Sequence, residues 1–457
     1  MGRLLDFLDD RLGIVSAWRT SMSGKRPPAG IGFLRTLGFA ALTVCALQFL
    51  SGIALAFHYV PTAGLAYDSI RAFEQEVPGG AFVRSLHHFG ASFFVVLAVV
   101  HLARVFFTGA YKAPREFTWL TGIGLLGIVL GFGFTGYLLP WDQKAYFATN
   151  VGTEIAGRTP LLGDALRTVL NGGDEVGPPT LTRFYVIHVV LLPIALLGLL
   201  AVHLMLIQRH GVAAPGRPVG DEGSPGLPYF PHHTLKEAIV GAATAGVLFL
   251  AAATFHAPLE ALAEPSDAGY EPRPDWYFLA AFQLLKWFKG PFESLGTFWL
   301  PNLFVLALAL VPFVDRTPER HWRKRKLATS LGIATIVFVA TLTILGALDA
   351  PDNQRVLRHP LGCTETEKLG YLALRRARCL ECHELEYAGT RYGTEDHDAP
   401  RFDELLAERY AFSTFDAVLR DPEGELGTED MPAFDYLPDV ERAAIWAFLR
   451  KLVPEKQ

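Results

Sequence analysis

Charge is scarce in this sequence. Only 19% of its 457 residues are Asp, Glu, Lys or Arg, 51% are hydrophobic, and mean hydropathy is +0.26. That balance excludes an ordinary soluble globule. The net charge of −5 is mild and gives no footing for nucleic-acid binding. Cysteine is scarce too: of four, Cys45 lies in an apolar run and Cys363, Cys379 and Cys382 lie in the tail. There is no second C-x-x-C for a zinc site, no Cys-His pair set for an iron–sulfur cluster, no internal repeat and no low-complexity tract.

What the chain does have is apolar runs of bilayer length. Seven are expected, over residues 33–57, 82–108, 118–139, 183–207, 236–255, 294–314 and 327–348. The preceding segment, 1–32, carries Arg3, Arg11, Arg19, Lys25 and Arg26, too long and too charged for a cleavable signal peptide. It reads as an amphipathic segment on the cytoplasmic side, because the stretch between the sixth and seventh runs, "DRTPERHWRKRK", is densely basic as well. An odd number of spans then puts everything after residue 350 on the outer side. From Pro351 charge rises and apolar runs shorten, so 351–362 reads as a linker and 363–457 as a soluble domain.

Histidines sit inside two of these runs. In "RSLHHFGASFFVVLAVVHLAR" His87 and His101 are 14 residues apart, and in the fourth run His188 and His203 are 15 apart. At about 100° and 1.5 Å per residue each pair shares roughly one helix face, separated by about 21 Å along the axis. Side by side, two such helices offer imidazoles at two levels, which is what bis-histidine ligation of two stacked haems requires. Core histidines bonded to Ser, Thr or backbone are the alternative; four at matched depth favour haem. His88 points about 100° away from His87 and reads as an interface or interhelical hydrogen-bonding residue. Arg84 and Arg104 stand three residues outside a proposed ligand, placed either to pair with haem propionates or to snorkel to the interface.

"RSLHHFGAS", "TGYLLPWDQKAYFATN", "LTRFYVIHVVLLP" and "PDWYF" together resemble cytochrome b, the quinone-processing subunit of cytochrome bc complexes, over about residues 30 to 350. The 15-residue spacing and seven spans are similar to the chloroplast type, here with the four-helix core (33–210) and the three-helix part (211–350) in one chain. The resemblance implies a low-potential haem on His87 and His188 and a high-potential haem on His101 and His203. The chloroplast type's extra covalent haem would need a cysteine where Thr36 stands, so none is expected. Cys45 reads as packing.

A quinol site needs a base beside an apolar slot, since oxidation releases protons with electrons. In "PRPDWYF", the prolines stiffen the backbone and place Asp275 beside Trp276 and Tyr277. Asp275 is the candidate base and Tyr277 the positioning residue, with Pro274 and Trp276 in the pocket. The family motif has Glu at this position; the Asp form points to menaquinol over ubiquinol or plastoquinol. On the resemblance, Tyr137 and Trp141 supply the opposite wall, and Gln208 with Arg209 an inner quinone site. Glycines 38, 52, 90, 131, 133 and 136 let a flat macrocycle or a neighbouring helix approach closely.

The tail carries C-x-x-C-H: Cys379, Cys382 and His383, the attachment signature of haem c. Met431, 48 residues after His383, is the candidate sixth ligand, with His397 as rival. "TEKLGYLALRRARCLECH" reads as a helix entering the motif and "LPDVERAAIWAFLRKL" as a closing helix. A redox disulfide is the competing reading of the two thiols; Cys363 is left unassigned. These features resemble a class I cytochrome c.

The expected fold is therefore all-α: a seven-helix transmembrane haem-binding bundle followed by a small soluble cytochrome c domain. The expected function is a proton-translocating quinol:cytochrome c oxidoreductase subunit in a bacterial inner membrane, holding two haems b, one haem c and quinone. Its expected partners are a Rieske iron–sulfur protein, other bc-complex subunits, a periplasmic cytochrome c or terminal oxidase, membrane lipid and a second copy of the complex. The rival is a dihaem membrane anchor linking a dehydrogenase to the quinone pool. Such anchors usually have four or five spans and lack a PDWY-like loop.

Overall fold

The computed structural model describes residues 25–266, 270–349, 357–388, 390–393, 399–407, 411–427 and 430–453. Most of the amino-terminal segment, residues 350–356 and the rival ligand His397 lie outside the described residues. Among the described residues, seven helices are long and apolar enough to cross a membrane: Phe33–Ala56, Gly80–Phe107, Glu116–Leu138, Pro178–His210, Tyr229–Thr254, Gly290–Val314 and Lys326–Leu348. The fourth begins earlier than expected because its first turn, behind Pro178 and Pro179, is polar and invisible to a hydropathy count.

Backbone packing runs first span to second, third to fourth and second to third, with the fifth laid against the first two and the sixth against the third. Val44, Leu86, Leu248 and Ala252 form the buried knot joining spans one, two and five. Outward-facing side chains stay apolar, as at Leu250 and Leu331, which suits a lipid surround.

The fourth span is not a uniform α-helix. Pro193 has no amide hydrogen to continue the ladder, and Ile187–Leu191 forms a π turn in which the Leu192 amide donates to the Ile187 carbonyl. A π turn absorbs one extra residue. It reconciles the 15-residue separation of His188 and His203 with the 14 of His87 and His101.

Helices Ala66–Glu76, Gln143–Gly157, Gly163–Asn171 and Leu279–Lys286 fill stretches that read as loops in the sequence. They are short and held by tertiary burial rather than by long periodicity; Ala66, Tyr67, Ile70 and Phe73 make the buried face of the first. At the opposite end of the bundle, Asp315 ties two loops together. Its carboxylate takes Lys112 Nζ at 2.7 Å, Arg325 Nε at 2.8 Å and the Tyr111 hydroxyl at 2.6 Å.

Residues 141–147 and 259–272 group with the tail, 351–457, in a second compact unit, so packing does not follow the linear division expected at residue 350. The reason is a set of polar clasps. Asp142 Oδ2 accepts from the Glu260 amide (2.9 Å), the Ala263 amide donates to the Trp141 carbonyl (3.1 Å) and Arg375 Nη1 donates to the Leu262 carbonyl (2.7 Å). Within this unit helices Glu365–Arg376 and Asp439–Leu452 pack together where Gly370 leaves no room for a side chain, since a Cβ there would fall 1.9 Å from the Ala444 carbonyl oxygen. The described strands are β1 (Leu385–Tyr387) and β2 (Thr390–Tyr392), antiparallel with Leu385 opposite Tyr392.

Burial pushes the Asp315 carboxyl up, but hydrogen bonds from Lys112, Tyr111, Thr317 and Arg325 outweigh it and hold the group below the usual carboxylate range. The stability it contributes is present above the unfolded-state value of about 4 and lost as pH falls through the lower folded-state value. Asp315→Ala leaves Lys112 and Arg325, both buried, without their counter-charge. It should destabilise by about 3 kcal/mol or more, read as an earlier thermal unfolding transition at pH 7, with the difference from the wild type shrinking at acid pH.

Candidate functional site

Each of the four span histidines rests against a glycine on a neighbouring helix. A Cβ at Gly52 would lie 3.1 Å from His87, at Gly38 3.3 Å from His101, at Gly136 2.6 Å from His188 and at Gly122 3.5 Å from His203, all measured to Cε1. The glycines are therefore seats for the rings. Gly38 and Gly52 lie 14 residues apart on the first span, and Gly122 and Gly136 lie 14 apart on the third. Gly122 escaped the sequence reading, although its spacing to Gly136 repeats that of the first span and of His87 to His101.

Three of the rings share one polar device. Ser51 Oγ meets His87 Nδ1 at 3.0 Å, Thr135 Oγ1 meets His188 Nδ1 at 3.0 Å, and Thr121 Oγ1 meets His203 Nδ1 at 2.8 Å. Each hydroxyl also donates to a carbonyl one turn back: Leu47, Gly131 and Phe117. A hydroxyl has one proton. With that proton spent on the carbonyl, the oxygen accepts from Nδ1–H, and the Nε2 lone pair is left for a metal. The hydroxyl-bonded histidines that the sequence offered as an alternative to haem are thus the same arrangement that frees a ligand nitrogen. His101 Nδ1 is buried without a hydrogen-bond partner.

The ring centres of His87 and His188 are 6.3 Å apart at an interplanar angle of 72°. A metal–imidazole bond of about 2.0 Å, plus about 1 Å from nitrogen to ring centre on each side, puts two axial imidazoles about 6 Å apart across one ion. The pair fits haem iron. His203 lies within the electrostatic reach of His101 at the second level. His88 meets Phe89 edge-on at 5.1 Å.

The two arginines flanking the ligands differ. Arg84 pairs with Glu74 at 2.5 Å and donates to the carbonyls of Ala257 (3.0 Å) and Pro258 (2.6 Å), so it ties the helix start to the chain after the fifth span and does not snorkel. Arg104 has a buried Nε without a hydrogen-bond partner, which suits a carboxylate at that level.

Asp275 precedes the turn Trp276–Phe278, and the Tyr277 hydroxyl donates to Asp275 Oδ2 at 3.2 Å. Burial, then the Asp275 charge, push the Tyr277 phenol up and keep it protonated. Three anchors set the loop: Arg273 Nη2 donates to the Gly346 and Ala347 carbonyls, Trp276 Nε1 donates to Ser92 Oγ, and the Tyr277 ring fills the place of a Gly133 side chain. Tyr137 lies in the field of Asp275, beside Tyr277. Pro274 is half-buried and Trp276 exposed. Trp141 belongs to the second unit, where its left-handed backbone (φ 54°) turns a buried ring edge-on to Tyr146 at 5.8 Å.

Toward the other end, Gln208 Oε1 accepts from Lys25 Nζ at 2.5 Å, and Arg209 is exposed. The sequence reading missed the neighbours there. The Lys25 carbonyl takes the Tyr229 amide, and the Tyr229 hydroxyl donates to Glu237 at 2.8 Å, with His233 Nε2 3.5 Å from the same carboxylate.

Residues 22–211 match the family described as cytochrome b/b6/petB, and residues 263–360 match the C-terminal part, cytochrome b(C-terminal)/b6/petD. The menaquinol:cytochrome c reductase cytochrome b subunit of Geobacillus thermodenitrificans is 45% identical over 222 residues, 47% of this chain and 99% of that relative. The chain belongs to the cytochrome b family. The cytochrome bc complex cytochrome b subunit of Chlorobaculum thiosulfatiphilum is 37% identical over 319 residues, 68% of this cytochrome b chain and 73% of its own length. A solved hyperthermophilic respiratory Complex III chain superposes with a TM-score of 0.69 at 29% identity, covering 76% of this chain and 92% of that one.

Family membership implies haem b, and the seats, hydroxyls and ring separation of this cytochrome b accommodate it. The family matches end at residue 360, so the tail stands on its own residues. Cys379, Cys382, His383 and Met431 line one cavity of about 640 Å³. His383 Nδ1 donates to the Pro400 carbonyl at 2.8 Å, leaving Nε2 toward a metal, and its ring stacks on Phe402 at 4.7 Å. Burial pushes the Cys379 thiol up to about 12, far from a reactive redox thiolate.

Seat geometry predicts a graded outcome in the cytochrome b bundle. Gly136→Ala pushes a methyl into His188 and should abolish the upper haem, whereas Gly122→Ala, at ordinary contact distance, should retain both haems. Pyridine haemochrome content of the two purified variants checks this; equal haem in both would remove the seat argument.

Proposed function

We propose that this cytochrome b is the quinol-oxidising subunit of a quinol:cytochrome c reductase, with menaquinol as its substrate and a covalently held haem c in its own tail. The observation that carries the reading is a proximity on the third span. Gly133 receives Tyr277 of the Asp275 loop and Gly136 receives His188, three residues apart and so about 4.5 Å along one helix. A group bound beside Tyr277 therefore lies within one helical turn of the upper imidazole pair. The relatives named as menaquinol:cytochrome c reductase subunits support the same substrate.

Haem held by His87 with His188, by His101 with His203, and by Cys379, Cys382, His383 and Met431 supplies one-electron relays, which is what a two-electron quinol requires. The rest is done by side chains. Asp275 accepts a quinol proton, and Tyr277, kept neutral, holds the hydroxyl in line together with Tyr137. Pro274 and Trp276 flank the slot. Gln208 and Arg209, with Lys25 and the Tyr229–Glu237–His233 group, form the inner end, where a quinone takes up protons. With the basic loops cytoplasmic and the tail periplasmic in a bacterial inner membrane, protons leave outside and enter inside. A high-potential acceptor is needed for the first quinol electron, and the sequence holds no Cys-His set for it; a separate Rieske subunit fills that role. The tail hands electrons to a soluble cytochrome or an oxidase, and the complex is a dimer.

Asp275→Asn should slow quinol oxidation by about a hundredfold or more, the contribution of a positioned base, with all haems still bound. Unchanged turnover would remove Asp275 as the base. Pyridine haemochrome spectra of the wild type should show twice as much haem b as haem c, and absence of the c-type signal would remove the tail assignment alone.

A further inference from the structure

The hydroxyls beside the span histidines have a fixed place relative to the glycine seats. Ser51 stands immediately before Gly52, Thr121 before Gly122 and Thr135 before Gly136. Before the fourth seat, Gly38, stands Leu37. The first and second spans share a 14-residue interval, so positions 37 and 38 relate to His101 as 51 and 52 relate to His87. Ring orientation follows the same interval. A Cβ at Gly38 would lie 3.3, 3.7 and 3.9 Å from Cε1, Nδ1 and Nε2 of His101, and a Cβ at Gly52 3.1, 3.6 and 4.0 Å from the same atoms of His87. Leu37 thus holds the position from which Ser51 meets His87 Nδ1 at 3.0 Å, and it brings an isobutyl group in place of a hydroxyl. Thr36, one residue earlier, donates its hydroxyl to the Phe33 carbonyl at 2.7 Å. His101 Nδ1 is left buried without a hydrogen-bond partner.

An imidazole that binds iron through Nε2 keeps its proton on Nδ1. A hydrogen bond from that N–H to an oxygen makes the ring a more basic ligand, and a more basic ligand favours ferric over ferrous iron. At the upper level both rings are so engaged, through Ser51 and Thr135; at the lower level only His203 is, through Thr121. The two levels therefore differ by one hydrogen bond. Charge acts in the same direction. Arg104 lies in the field of His101 and Arg35 in that of Arg104, and neighbouring cations favour the state that has gained an electron.

We infer that Leu37 sets the potential of the lower haem: by leaving His101 Nδ1–H without an acceptor, it makes that haem the easier of the two to reduce. An electron arriving at the upper level is thereby drawn to the lower one. The inference rests on haem b ligation by the four histidines and is independent of the quinol site and of the tail.

Redox titration of the full chain in its purified complex, followed at the haem b α-band, tests this. Leu37→Thr and Leu37→Val introduce side chains of the same shape that differ only in the hydroxyl. Leu37→Thr should lower one of the two haem b midpoints and shift the electron-sharing equilibrium between the levels by about tenfold, the weight of one hydrogen bond. For one-electron couples that is about 59 mV. Leu37→Val should leave both midpoints in place. Ser51→Ala and Thr135→Val should each raise the other midpoint by a similar factor, and they carry the test if the variants at position 37 lose haem. Equal midpoints in haem-replete Leu37→Thr and Leu37→Val overturn the inference, as do unmoved or lowered midpoints in Ser51→Ala and Thr135→Val. Absence of two haems b from the wild type would remove the ligation reading and the inference with it.

Discussion

Four imidazoles must meet across a helix bundle at two depths, and most of what is distinctive in this chain follows from that requirement. A ring reaching between helices needs a missing side chain opposite it, hence glycines at the same 14-residue interval on the first and third spans. At three of the four rings one nitrogen is fixed by a hydroxyl on the neighbouring helix whose proton is already committed to a carbonyl. The rings also need helices in phase, and where the fourth span carries one residue too many, Pro193 and the π turn take it up. The spans thus pack around rings that are seated against glycines.

The imidazole seats and the Asp275 loop are joined through one helix. Gly133 and Gly136 are consecutive seats on the third span, one for a tyrosine of the loop and one for an imidazole. The loop itself is held from three directions, by the end of the seventh span, by Ser92 on the second and by Gly133 on the third. Placement from several elements fixes the loop more rigidly than its own short turn could.

The seven spans and the histidine levels were legible because they rest on hydropathy and on a strict helical interval, both properties of the chain alone. The tail helices were legible for a similar reason, with a capping box at Thr364 and Glu367 marking the start of one. The short helices between the spans were not, because burial of residues such as Tyr67 and Phe73 depends on distant neighbours. Arg84 had two readings in the sequence; only the position of Glu74 and of two carbonyls decides what its guanidinium does. Ser51, Thr121 and Thr135 carried no signal, since hydroxyls are ordinary in apolar helices. The clasp between Arg375 and the Leu262 carbonyl, 113 residues apart, lies outside any local pattern.

In the tail, Lys451 Nζ reaches the Gly362 carbonyl at 3.4 Å and Glu367 at 3.8 Å. The two helices that cross at Gly370 thus bring the start and finish of the module to one corner. Loosening either helix end therefore frees the other, so the two ends of this helix pair share one point of failure.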